Sequence, residues 1–224
     1  EEMILLEQGA VKIDADIPYD VASLLGCGVM TGVGAVFNAG QVEPGTSVVV
    51  FGCGGVGISV IQGARIAGAA TILAVDMVEA KLEWAKQFGA THAVTPDQLP
   101  DALRELTGGA GFDYGFEVVG RSQTIKAAYD ATRRGGTTVV VGVGRAEDMV
   151  QLSAFDLFYN EKNLRGTYYG SANIRRDFPR LLALWRAGRL DLEGMITRRL
   201  TLDDVNDAFG ALSSGDVIRQ VITF

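Results

Sequence analysis

The sequence predicts an α/β fold built on a doubly wound, parallel, six-stranded sheet, and three observations carry that reading. The first is the run Val48-Val49-Val50-Phe51-Gly52-Cys53-Gly54-Gly55-Val56-Gly57, where an apolar strand ends in a glycine turn. Helical periodicity follows it through Ile58, Ile61, Ala64 and Ile66. The second is the strand Ile72-Leu73-Ala74-Val75, which ends on Asp76. The third is the continued alternation of strand and helix, at spacings that suit right-handed crossovers in a parallel sheet.

Taken in order, a helix from about Thr31 to Asn38 precedes the central strand, and Val42-Glu43-Pro44-Gly45 makes the turn between them. After Asp76, Glu79 to Phe88 reads as an amphipathic helix stopped by Gly89, and His92-Ala93-Val94 as a third strand. Leu99 to Leu106 is a helix and Phe112 to Val119 a fourth strand. Ser122 is expected to cap a helix running to about Thr132, closed by Gly135-Gly136. Thr137 to Val143 is almost wholly apolar, as a strand covered on both faces should be, and Leu164 to Tyr168 supplies a sixth strand. Six strands complete a dinucleotide-binding, or Rossmann, domain over residues 31–168.

The two chain ends follow another rhythm. Met3-Ile4-Leu5-Leu6 and Ala10-Val11-Lys12-Ile13 read as two short strands. Pro18 opens a helix over Val21 to Leu25 that Gly26-Cys27-Gly28 breaks. Beyond Gly170 come a helix over Phe178 to Ala187, a strand over Ile196 to Leu200 and a helix entry at Thr201. Val205, Ala208, Phe209 and Leu212 share one face of that helix, and Val217 to Phe224 is a last strand. Neither end can build a core alone. Residues 1–30 and 169–224 are therefore expected to form one incomplete, mostly β domain whose beginning is missing.

Composition narrows the function. Of 224 residues, 48% are hydrophobic and 21% charged, as in a globular chain with a sizeable core. A net charge of −7 without a basic cluster excludes nucleic acid as a partner. No apolar run reaches the roughly 18–20 residues of a membrane helix, so no membrane partner is expected. No signal peptide precedes the first strand-like segment. Cys27 and Cys53 imply no disulfide framework. The simplest account is a soluble cytoplasmic protein.

The glycine turn carries the chemistry. Gly52 permits the turn, Gly54 lets backbone approach a pyrophosphate, and Gly57 lets the helix lie close to the sheet; Gly55 and Val56 complete the loop. The helix N-terminus offers unpaired N–H groups and partial positive charge to the phosphates. Asp76 stands where a carboxylate accepts the adenosine ribose hydroxyls, and its charge selects NAD against a 2′-phosphate. The competing role for Asp76 is a strand-end cap of the next helix. Val119, Val141, Gly142 and Val143 lie at strand ends facing the crevice where such sheets bind cofactors.

The chain resembles the zinc-dependent alcohol dehydrogenases of the medium-chain dehydrogenase/reductase superfamily over essentially its whole length. The resemblance rests on Gly26-Cys27-Gly28-Val29-Met30-Thr31-Gly32, the Gly52 to Gly57 loop, and Asp76 with Lys81. It rests also on Phe116-Glu117-Val118-Val119-Gly120-Arg121 and Val217-Ile218-Arg219-Gln220-Val221-Ile222. In detail the chain is similar to the class III-like branch, which includes formaldehyde dehydrogenases and bacterial nicotinoprotein alcohol dehydrogenases. The resemblance implies a GroES-like catalytic domain made from both chain ends, whose N-terminal part, with the other zinc ligands and the proton relay, is absent.

It further implies that Cys27 is one catalytic-zinc ligand, against the alternative of a small buried apolar cysteine. Thr31 would pack near the nicotinamide or cap a helix. Lys81 would be a second adenosine-side contact or an exposed helical lysine. Arg121 would lie near the nicotinamide ribose. Tyr169 would be an aromatic beside the nicotinamide or a plain core ring. Arg219 would pair with the pyrophosphate or be an ordinary strand arginine. Cys53 is taken as loop packing, His92 as a surface or half-buried histidine, and Glu117 receives no role.

The function implied is NAD-linked oxidation of a small alcohol, or reduction of an aldehyde, by hydride transfer with zinc holding the oxygen. One thiolate falls short of the three protein ligands such a zinc needs, so the chain alone is expected to be inactive. The alternatives are a stand-alone NAD-binding module, and a zinc-free quinone or enoyl reductase, which Cys27 disfavours. A homodimer or tetramer is expected through the sheet edge, with Met149 to Thr167 as the contact.

Overall fold

The computed structural model describes residues 4–215 and 217–224 except the side chains at 212–214, so the expected face position of Leu212 lies outside the described residues. The sheet forms in the order the alternation requires. Helices α1 (Tyr19–Leu25) and α2 (Gly28–Gly34) lead into π-helical turns over Ala35–Gly40 and then β1 (Ser47–Phe51). There follow α3 (Gly55–Ala67), β2 (Thr71–Val75), α4 (Glu79–Gln87), β3 (His92–Val94), α5 (Leu99–Thr107) and β4 (Phe112–Glu117). The run closes with α6 (Ser122–Ala131), β5 (Thr132–Val140), α7 (Ala154–Tyr159) and β6 (Asn163–Gly166). All six strands are parallel, in the order β3-β2-β1-β4-β5-β6. The expected doubly wound Rossmann architecture is present.

Both faces of the sheet are covered, which is why its strands are apolar throughout rather than alternating. Val48, Val50, Ile72 and Ala74 face one core, shared with α2, α3 and α8 (Ile174–Arg186). Val49, Phe51, Leu73 and Val75 face the other, with Phe112, Ala128 and Ala131. A second, two-stranded parallel sheet pairs β7 (Ile196–Leu200) with β8 (Arg219–Ile222), and α9 (Val205–Ser214) connects them. Ion pairs tie the two chain ends together: Arg199 reaches Asp20 at 2.7 Å, and Arg186 bonds both Asp14 and Asp16.

Several local expectations fail. Residues 4–6 and 10–13 are not strands; a 3-10 turn over Glu7–Gly9 separates irregular backbone, and Met3 lies outside the described residues. Ile4, Leu5 and Leu6 stand exposed. Apolar residues alone do not make a strand, because a ladder needs a neighbour. Ser122 does not cap α6. It is the first helical residue, and its N–H is bonded by the Asp148 carboxylate at 2.8 Å. Gly135-Gly136 does not close that helix but lies within β5, which starts at Thr132 and shifts register between Thr132 and Thr137. Helix α2 begins at Gly28, so Thr31 is interior and caps nothing. Phe209 is exposed rather than on a buried face with Ala208.

Candidate nucleotide-binding site

The strand order reverses between β1 and β4, and the crevice beyond their C-terminal ends gathers most of the predicted site residues. Gly52 leaves β1 at φ 95°, a conformation glycine adopts freely. A Cβ at Gly57 would collide with the Gly52 carbonyl, so α3 starts directly against the strand end. Gly54 is the N-cap of α3 and has no side chain to offer, which leaves the first N–H groups of a 13-residue helix available. The space beside Gly54 is empty within 4 Å. Cys53 is fully buried, its thiol facing the Val75 carbonyl; burial, with Asp76 adding, pushes its pKa far above the usual thiol range.

The Asp76 carboxylate does two things at once. One oxygen accepts the Cys53 N–H at 2.7 Å and the other the Val78 N–H at 3.0 Å, just before α4. The helix-entry role and a place at the glycine turn are therefore not exclusive. Lys81, half-buried on α4, is close enough to bear on the Cys53 thiol and touches the position of Gly215.

Arg219 comes from the far end of the chain on β8. Its guanidinium fills the space above Gly28 and Gly55, so that a Cβ at either glycine would strike it. Burial draws its pKa down, with Cys27 opposing, yet a guanidinium remains charged at any ordinary pH. Its side chain makes no hydrogen bond or ion pair among the described residues. A desolvated cation without an acceptor, held against a helix N-terminus, is half of an anion site.

A cavity of about 290 Å³ opens beside it, lined by Cys27, Thr31, Val56, Val141, Gly142 and Tyr169. Cys27 is exposed at the N-cap of α2, so the buried-cysteine alternative fails. Tyr169 holds a left-handed φ of 53°, and its hydroxyl donates to the Gly26 carbonyl at 3.0 Å. It is thus a cavity wall rather than a plain core ring. Asn38, itself bonded to Asp177, donates to the Gly170 carbonyl and steadies that turn. Val143, 95% exposed, also borders a second cavity with Val119, Arg121 and Arg145. Thr167, Tyr168 and Arg145 were not anticipated as lining residues, and only the Tyr168-Tyr169 aromatic pair offered a signal in the sequence.

Residues 55–187 match the family model described as zinc-binding dehydrogenase. The chain belongs to this zinc-binding dehydrogenase family. It is 37% identical to alcohol dehydrogenase class-3 of Cereibacter sphaeroides, over 99% of this chain and 61% of that protein. It is 39% identical to the NDMA-dependent alcohol dehydrogenase of Amycolatopsis methanolica, over the same shares. Among solved structures, benzyl alcohol dehydrogenase from Acinetobacter calcoaceticus superposes with a TM-score of 0.90 at 33% identity, covering 95% of this chain and 59% of that one. The chain thus spans about three fifths of the length of these dehydrogenases.

For a zinc-binding dehydrogenase, the residues in hand fit the two family groups unequally. The glycine turn, the open helix N-terminus and the unpaired Arg219 fit a dinucleotide. No group of three His, Cys, Asp or Glu among the described residues could hold a metal, so Cys27 by itself does not make a zinc centre. No single helix among the described residues is long and apolar enough to cross a membrane.

Proposed function

We propose that the chain is the cofactor-holding part of an alcohol dehydrogenase that uses NAD. The observation that carries the reading is Arg219, a guanidinium unpaired among the described residues, over the glycine turn and the start of α3. The N–H groups at Gly55, Val56 and Gly57 and the Arg219 fork receive the pyrophosphate. Asp76 accepts the adenosine ribose hydroxyls with its remaining lone pairs and disfavours a 2′-phosphate, with Lys81 beside it. Arg121 and Val119 serve the nicotinamide ribose. Thr31, Val56, Val141, Gly142, Val143 and Tyr169 enclose the ring, orient it and exclude water. The bound nicotinamide supplies the hydride acceptor for a small alcohol, or the donor for an aldehyde.

Cys27 contributes one thiolate to a zinc site whose other ligands this chain does not hold, so the chain alone binds cofactor without turnover. Residues 31–168 form the nucleotide-binding domain. Residues 1–30 and 169–224, linked by the Asp20–Arg199 and Asp16–Arg186 pairs, form part of a catalytic domain. Two copies associate through the sheet edge at β6, where Met149, Phe155, Phe158 and Tyr159 are exposed.

The test is an NADH fluorescence titration with zinc analysis of the same sample. Binding without zinc supports the proposal. Absence of NADH binding overturns the dinucleotide reading, and stoichiometric zinc overturns the assignment of a single ligand. NADH-dependent reduction of a quinone or enoyl substrate without zinc would favour the zinc-free reductase.

A further inference from the structure

Glu117 is the last residue of β4, and its side chain is fully buried. Burying a carboxylate is costly unless donors surround it. One oxygen, Oε1, accepts three hydrogen bonds: from the Val119 N–H at 2.9 Å, the Gly120 N–H at 2.7 Å and the Thr124 hydroxyl at 2.6 Å. The other, Oε2, is buried without a partner among the described residues. No cation is paired with it there, so the carboxylate is not kept for an ion pair.

What it holds is geometry. Its side chain binds the turn at 118–120, and its backbone carbonyl accepts the Val141 N–H at 2.8 Å and the Gly142 N–H at 3.0 Å. One residue therefore ties together the two strand-end turns that border both cavities. The turns touch directly: a Cβ at Gly142 would overlap the Gly120 amide, and one at Gly120 would overlap the Val143 backbone. With the N–H groups of Val119, Gly120, Val141 and Gly142 turned inward to Glu117, the Val119 and Val143 side chains stand 43% and 95% exposed.

We propose that Glu117 is a positioning residue, whose buried carboxylate sets the spacing of the 118–120 and 141–143 turns for the nicotinamide half of the dinucleotide without touching it. The proposal rests on the dinucleotide reading above. The adenosine half depends on Gly52 to Gly57, Asp76 and Arg219, none of which bonds Glu117. Loss of Glu117 therefore acts on one half of the ligand, where general damage to the fold acts on both.

The experiment compares NADH with ADP-ribose, which lacks the nicotinamide, in the wild-type chain, Glu117→Leu and Glu117→Gln. The leucine variant is expected to bind NADH about tenfold or more weaker while holding ADP-ribose within about threefold, because it strips the acceptor from two backbone donors. Glutamine retains a carbonyl oxygen for those donors and is expected to restore NADH binding to within about threefold. A leucine variant that binds both ligands as the wild type does, or loses both alike, overturns the positioning role and leaves the dinucleotide reading standing. A wild-type chain that binds neither ligand overturns both. Should the leucine variant not fold, amide exchange in the wild-type chain decides. The Val119 and Gly120 N–H groups should exchange at least about tenfold slower than the Gly144 N–H, and equal rates would refute the role.

Discussion

The Asp76 carboxylate accepts the Cys53 amide N–H at 2.7 Å, so the tip of β2 is bonded to the glycine turn that leaves β1. The same carboxylate holds the Val78 N–H at 3.0 Å. Asp76→Ala strips both amides of their acceptor and removes the carboxylate proposed to accept the ribose hydroxyls. NADH affinity should fall about tenfold or more. The preference for NADH over NADPH should fall as well, because the repulsion of a 2′-phosphate is gone. Parallel fluorescence titrations with both nucleotides check this; an unchanged preference would remove Asp76 from the selectivity argument.

Arg219 has a sharper signature. Arg219→Gln keeps a polar side chain and loses the charge, so ADP-ribose should bind about tenfold weaker. The fall in affinity with added salt should also flatten, since a charge-to-phosphate contact is screened. If the variant keeps both the affinity and the salt slope, the guanidinium does not meet the pyrophosphate.

The two thiols should separate cleanly. Cys27 is exposed, and Cys53 is buried with its pKa pushed far up by desolvation. A thiol reagent on the native chain near neutral pH should modify one cysteine quickly and the second only on unfolding. Because Cys27 lines the cavity assigned to the nicotinamide, saturating NADH should slow its modification by about tenfold. Peptide mapping identifies the modified residue, and rapid loss of both thiols would contradict the fold around the glycine turn.

Acid stability follows from three carboxylates held below their ordinary value of 3.8. The Arg176 hydrogen bond lowers Asp177 against opposing burial, and the Asn173 and Asn38 donors add to it. For Asp113, burial pushes upward, but the Ser47 hydroxyl and amide and Arg133 outweigh it. Arg199 lowers Asp20. Between the folded and unfolded pKa values, the unfolded chain binds more protons. The stabilisation is therefore complete above about pH 5 and is lost as pH falls through the folded values. Tm measured from about neutrality down to about pH 2.5 should show this decline. Asp177→Asn should make it shallower, and an identical acid limb would remove Asp177 from the balance.

Association through the sheet edge predicts a specific disruption. Phe155 and Tyr159 stack at 5.4 Å on an exposed helix beside the exposed strand β6. Phe158→Glu places a charge in that patch and should weaken self-association about tenfold or more in sedimentation equilibrium, with NADH binding unchanged. A wild-type chain that stays monomeric at every concentration sinks the edge interface.

Much of the architecture was legible because its signals are local. β3 and β7 fall on the expected residues, and the glycine turn from Gly52 to Gly57 sits where the motif predicts. Signals that require a partner misled. The apolar residues at 4–6 read as a strand, yet pair with nothing among the described residues. Ser122 looked like a cap, but α6 receives its carboxylate from Asp148 in a distant loop. Glu117 carried no legible role, because its three donors come from the following turn and helix, whose direction only the folded strand sets.

By itself the sequence determined the strand–helix alternation, the apolar strands of a sheet covered on both faces, and the glycine turn followed by Asp76. Each depends on periodicity or spacing within a short stretch of chain. Only the tertiary structure decided that Arg219 lies over Gly28 and Gly55, that Tyr169 bonds Gly26 beside Cys27, and that Glu117 joins two turns. Those meetings follow from the strand order and from the β7–β8 pair that returns the chain end to the crevice. Contacts between residues so far apart in the chain have no local signature, because they exist only once the sheet has closed its order.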